Sequence, residues 1–197
     1  MANKDKPLGD NNVLRAAAET SKYLTDLGWQ HCFIGGVAYL RYGEPRQTVD
    51  IAGVLLTGFG GEQKYVETLL ETYPSRIDDP IPFAAQNRIV LLEDKRGIGI
   101  DLSLGGLPFE ERMIERSSEW AVPKHGSILT CSSDDLIVLK SIASRPQDWI
   151  DVEKVIIRQG SKLNKEQIFE ELEPLAALKE EPEIIDHLNQ LFEKHDS

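Results

Sequence analysis

Apolar residues first recur at helical spacing: Leu14, Ala17, Ala18, Ser21, Leu24 and Leu27 fall on one side of a helix. Asp10 or Asn11 can cap it, and Gly28 ends it. A short apolar run, His31-Cys32-Phe33-Ile34, has strand character and is interrupted by Gly35-Gly36. Val37 to Tyr42 restarts as a short helix, and Gly43-Glu44-Pro45 is a turn. Thr48 to Leu56 is rich in β-branched and aliphatic residues and reads as a second strand, with Val49, Ile51 and Leu55 on its inner face. Glu62 to Thr72 follows as a helix with Tyr65, Val66, Leu69 and Leu70 inward. Asp78 to Pro82 reads as a proline-marked loop and Arg88 to Leu92 as a short strand. Ile98, Ile100, Leu102 and Leu104 then alternate with Gly99, Asp101, Ser103 and Gly105, the pattern of a half-buried strand.

Pro108 to Arg116 reads as a helix, and Ala121 to Cys131 as short extended pieces. From Ser132 onward the period is helical, with segments Asp134 to Ser144, Gln147 to Gln159, Lys165 to Leu178 and Glu183 to Lys194. The pattern predicts a flexible tail over 1–10, an α/β core over 11–130 and a helical C-terminal subdomain over 131–197.

Composition narrows the class. The 197 residues are 41% apolar and 28% charged, values of an ordinary globular protein. No apolar run approaches the roughly 20 residues a membrane helix needs, and the polar first ten residues lack a signal-peptide core. Two cysteines, Cys32 and Cys131, make neither a disulfide framework nor a four-cysteine zinc site, so the expected location is a reducing cytoplasm. The net charge of −11 argues against a general nucleic-acid coat protein. The charge is uneven, however. Residues 136–165 carry six Lys/Arg against three acids, while the stretch from Glu166 to the end carries ten acids against two lysines. One local stretch can therefore face an anion.

Candidate chemistry begins at the diglycine. Ile34-Gly35-Gly36 ends a strand and opens a helix, where glycine admits close ligand approach and a helix N-terminus favours anions. Asp50 stands on the next strand, in Arg46-Gln47-Thr48-Val49-Asp50-Ile51-Ala52. On the alternating strand Asp101 lies on the face away from Ile100 and Leu102, between the small residues Gly99 and Ser103. If those strands are neighbours, Asp50 and Asp101 converge beside a phosphate-holding turn, a donor set for a hard cation.

The order Gly-Gly, about a dozen residues, Arg-x-Thr-x-Asp, then a later strand Asp resembles the signature of the polymerase-β-like nucleotidyltransferase superfamily, and within it the AbiEii/AbiGii-type toxin branch. A second motif supports this resemblance: Lys140, Arg145, Asp148 and Asp151 fall on the spacing of that branch's third motif. The resemblance covers about Gly28 to Gly160. It implies a core with a mixed sheet flanked by helices, plus a C-terminal helical part.

It also implies roles. Gly35, Gly36, Arg46, Thr48, Lys140 and Arg145 would bind the phosphates of a nucleoside triphosphate, ATP or another. Asp50 and Asp101 would hold Mg²⁺ or Mn²⁺, and Asp50, Asp101 and Lys140 would form the catalytic set. Asp148 and Asp151 would give structural or catalytic support. The implied reaction is transfer of a nucleoside monophosphate to a hydroxyl, on tRNA or another RNA in a toxin–antitoxin system with an antitoxin partner, or on a small molecule of antibiotic type. The family motif carries a second aspartate two residues after Asp50, where this chain has Ala52. A methyl group cannot ligate a metal, so Ala52, introduced or natural, implies impaired transfer or a non-catalytic nucleotide-binding or regulatory module.

Overall fold

The computed structural model describes residues 11–195, so the tail expected over 1–10 lies outside the described residues. In chain order the elements are α1 (Asn12–Asp26), β1 (His31–Ile34), α2 (Gly35–Tyr42), β2 (Asp50–Leu56), α3 (Glu62–Thr72), α4 (Pro80–Asn87), β3 (Ile89–Glu93), β4 (Gly99–Gly105), α5 (Pro108–Glu115), β5 (Ser118–Val122), β6 (Gly126–Thr130), α6 (Ser133–Ala143), α7 (Pro146–Gln159), α8 (Lys165–Lys179) and α9 (Glu183–His195). The chain divides into two compact units. The first comprises residues 11–37 and 47–131; the second comprises 38–46 and 132–195.

The first unit is built on one sheet of order β3-β4-β2-β1-β6-β5. It is mixed: β2 runs parallel to β4 and β6 to β1, while the other neighbours are antiparallel. One face is the core. Ile51, Leu55, Val90, Leu92, Ile100 and Leu102 are at most 1% exposed there, which follows from the two-residue period of each strand. Helix α1 packs against β1, β2 and β6, with its Asn11 side chain accepting the Val13 N–H at 2.9 Å. The opposite face of β2 and β4 carries the polar residues of interest.

Two local expectations change. The segment expected as a proline-marked loop, Asp78 to Pro82, holds the start of α4. Pro80 is its first residue and Pro82 also lies in its first turn, where the backbone N–H has no intrahelical acceptor and proline is tolerated. Val49 stands outside β2 and is 66% exposed, because the strand begins only at Asp50.

In the second unit, α6 contacts α7, α8 and α9. Leu136, Ile137 and Val138 are buried, and α6 is capped by Ser132, whose hydroxyl accepts the Asp135 N–H at 3.0 Å. Residues 38–46 belong to this unit: the Gly43 carbonyl accepts from Arg158, and the Tyr42 carbonyl accepts from Gln159 at 2.8 Å. No helix among the described residues is long and apolar enough to cross a membrane.

Candidate functional site

The parallel pairing of β2 with β4 sets Asp50 opposite Gly99 and Ala52 opposite Asp101. Residues in register share a face, so Asp50, Ala52 and Asp101 stand together on the side away from the core. A rise of about 6.6 Å over two residues and a strand spacing of about 4.8 Å put the Asp50 and Asp101 Cα atoms about 8 Å apart. Asp50 is exposed and Asp101 half-buried. Burial pushes the Asp101 carboxyl above its ordinary pKa; the Arg76 charge opposes that shift and the Asp50 charge adds to it.

The diglycine bend abuts this face. β1 ends at Ile34, paired with Ala52, and Gly35 follows at φ +56, a conformation that favours glycine. A Cβ on Gly35 would stand 3.3 Å from the Ala52 methyl. A Cβ on Gly36 would stand 3.1 Å from Thr48 Cβ and closer still to its hydroxyl. Thus Thr48, Gly35, Gly36, Asp50, Ala52 and Asp101 form one continuous surface at the start of α2, whose amides present positive potential.

Arg76 is the residue that sequence reasoning missed. It lies between α3 and α4, and its guanidinium pairs with Asp101. The segment before it extends the sheet edge: Ser75 bridges Leu92, the Pro74 carbonyl accepts the Glu93 N–H at 2.9 Å, and the Arg76 N–H donates to the Leu91 carbonyl at 3.0 Å. Leu91 is the register partner of Asp101. The one sequence hint is Gly99, whose missing side chain leaves the space where the guanidinium lies, with Nη1 3.1 Å from where a Cβ would stand.

The remaining predicted residues cluster in the second unit. Lys140, in α6, is 5% exposed, and its ammonium sits 2.9 Å from Asp148 and 2.6 Å from Asp151 of α7. Arg46 grips the same Asp151 with two bonds, Nε at 3.1 Å and Nη2 at 2.7 Å. Gln147 adds a third donor to it at 3.0 Å. Tyr39 offers its ring to both cations, with centroid distances of 4.9 Å to Arg46 and 5.8 Å to Lys140. Burial alone would push Asp151 up, yet these hydrogen bonds and the Lys140 charge hold its pKa below the ordinary value. Arg145 differs: its side chain is 78% exposed, with Nε 3.2 Å from Asp148. The spacing Lys140, Arg145, Asp148, Asp151 therefore builds an ion cluster that joins α6, α7 and the 38–46 segment.

Comparison with solved structures gives the architecture its class. The antigenic nucleotidyltransferase-like protein from Paracoccidioides brasiliensis is similar over 93% of this chain and 95% of its own, with a TM-score of 0.58 and 12% identity. This is a nucleotidyltransferase fold. The lincosamide antibiotic adenylyltransferase LnuA, in its lincomycin-bound structure, is similar over 74% of this chain and 98% of its own, with a TM-score of 0.51 and 15% identity. ANT(2")-Ia in complex with adenylyl-2"-tobramycin is similar over 84% and 97%, with a TM-score of 0.51 and 14% identity. No protein-family model matches the chain. No curated protein matches it by sequence.

The donor set bears on the divalent ion that the sequence resemblance implies. Mg²⁺ demands a near-octahedral oxygen shell. Here Asp101 is already paired with Arg76, Asp50 is its single carboxylate companion from the predicted set, and the third position is a methyl group. Among the described residues no group of three or more His, Cys, Asp or Glu could hold a metal ion. The side chains present do not fit a resident Mg²⁺ or Mn²⁺.

Proposed function

We propose that this chain is a nucleotidyltransferase-fold protein that binds a nucleoside triphosphate at the diglycine bend, with nucleoside monophosphate transfer lost or strongly impaired by Ala52. One observation carries the reading: the β2–β4 register puts Asp50 and Asp101 on one face, with Ala52 opposite Asp101 and against Gly35. Gly35, Gly36 and Thr48 are the proposed phosphate contacts. In transfer, an acceptor hydroxyl oxygen bonds to the α-phosphorus, the bond to pyrophosphate breaks, and the hydroxyl proton leaves to a base. Asp101 is the proposed base, as the half-buried carboxylate that shares the β2–β4 face with Asp50. The missing carboxylate at 52 removes charge and a ligand where transfer needs both.

For the acceptor, the Lys140, Arg145, Asp148, Asp151 spacing supports the toxin branch, with an RNA end such as tRNA as acceptor and an antitoxin as partner. In this reading Lys140 and Arg46 act by holding the α6–α7 elbow, and Arg145 is the exposed cation open to a phosphate. The likeness to lincosamide and aminoglycoside adenylyltransferases supports a second reading, a small-molecule hydroxyl as acceptor.

The test is a paired assay of the wild-type chain and Ala52→Asp. Binding and Mg²⁺-dependent transfer of four labelled nucleoside triphosphates are measured with RNA and with lincosamide and aminoglycoside acceptors. The expected result is nucleotide binding by both proteins and transfer that emerges or rises with the aspartate. Absence of nucleotide binding by both overturns the proposal.

A further inference from the structure

We propose that Arg76 is the resident cation of the β2–β4 acidic face, standing against Asp101 in place of a divalent ion, so that the native site excludes Mg²⁺ and Mn²⁺. The inference rests on the reading of this face as the nucleotide site, but it concerns the occupant of the carboxylates rather than the nucleotide.

Three features place the guanidinium there by construction. First, the Arg76 backbone is fixed to the sheet through Leu91, the residue in register with Asp101, and flanked by the Ser75–Leu92 bridge. A side chain leaving that point reaches Asp101 across one strand. Second, Gly99 leaves the room: a Cβ there would stand 3.1 Å from Nη1 and 3.3 Å from Cζ, so even a methyl at 99 would crowd the guanidinium by a few tenths of an ångström. Third, the charges match. Ala52 contributes none, Asp50 and Asp101 contribute two negative charges, and the Arg76 guanidinium returns one positive charge. A three-carboxylate face needs more positive charge than one arginine supplies, whereas a two-carboxylate face with Arg76 is left at −1.

The pair is also reachable. The Arg76 and Asp101 side chains are 34% and 31% exposed, so an ion that bound better could displace the guanidinium. Exclusion is therefore a competition, and it can be reversed by substitution.

The experiment is Mn²⁺ binding followed by electron paramagnetic resonance, with paramagnetic broadening of the Asp101 and Gly99 amide signals in nuclear magnetic resonance as the local readout. The proteins are the wild-type chain, Arg76→Lys, Ala52→Asp, and Ala52→Asp/Arg76→Gln, each checked for native circular dichroism. The expected result is no local broadening by 0.1 mM Mn²⁺ in wild type or Arg76→Lys, weak binding by Ala52→Asp, and affinity at least about tenfold higher in the double variant, as added ligand charge and a vacated carboxylate dictate. If the double variant does not fold, Arg76→Gln is compared with Arg76→Lys, and greater broadening in the glutamine variant is expected. Local broadening in the wild-type chain, or no gain on replacing Arg76, overturns the proposal. Nucleotide binding is read separately, so its failure is not confused with this one.

Discussion

Replacing Lys140 with methionine separates two roles for a lysine in this motif, structural clamp and phosphate ligand. Methionine keeps the unbranched stem and removes the charge. Asp151 is fully buried and Lys140 nearly so, while the ammonium lies 2.6 Å from Asp151 and 2.9 Å from Asp148. Removing one partner of a buried ion pair costs about 3–5 kcal/mol, mostly as an uncompensated buried charge. Arg46 and Gln147 still reach Asp151 in the variant, so the lower end applies, about 3 kcal/mol. With a urea slope of about 3 kcal/mol/M, the unfolding midpoint falls by about 1 M at neutral pH. The deficit shrinks as pH drops and Asp151 protonates, because the charge left uncompensated then disappears. Urea melts followed by circular dichroism at pH 7 and pH 4 give both numbers. An unchanged midpoint at pH 7, with nucleotide affinity lost, would refute the clamp.

Gly36→Ala drives a methyl into Thr48 and should cost about 1–3 kcal/mol, with most of it recovered in Gly36→Ala/Thr48→Ala; thermal melts of the three variants check this. Acid sensitivity follows from Asp151 and from Asp94. Burial would raise the Asp94 pKa, but the Ile98 and Arg96 amides and the Arg96 guanidinium lower it. A depressed folded-state pKa gives stability that is present above the unfolded value of about 4 and lost as pH falls through the folded value. Stability should therefore drop below about pH 4, and Asp151→Asn should flatten that limb in a pH series of urea melts. Glu110 accepts the Gly106 and Leu107 amides, both at 2.8 Å, so Glu110→Ala should cost about 1–2 kcal/mol by thermal denaturation.

Legibility in the sequence followed period length. The alternation from Ile98 to Leu104 predicts a half-buried strand, and β4 occupies Gly99–Gly105 with Asp101 on its outer face. The helical spacing at 14–27 and the segments after Ser132 carry the same kind of signal, since each buries one side of a regular element. What escapes is set by neither period nor spacing. Arg76 sits in a nonperiodic stretch, and its meeting with Asp101 depends on an edge bridge to β3 that no local pattern encodes. Prolines 80 and 82 read as a loop because a proline marks a helix start as readily as a break. The phosphate role of Lys140 comes from the motif resemblance, and the apolar pattern of its own helix does not show which acids it meets. Its partners come from the next helix, placed by the Pro146 restart. Residues 38–46 join the C-terminal helices through the Arg46–Asp151 pair and through carbonyls at Tyr42 and Gly43, and the carbonyls are groups that every residue has and no sequence pattern distinguishes.

Nitrogen-15 amide spectra of the wild-type chain, titrated with a nucleoside triphosphate, test nucleotide binding at the diglycine bend most directly. Saturable shifts centred on Gly35, Gly36, Thr48 and their β2 neighbours are expected. Shifts confined elsewhere, or none at millimolar nucleotide, would contradict binding at the bend.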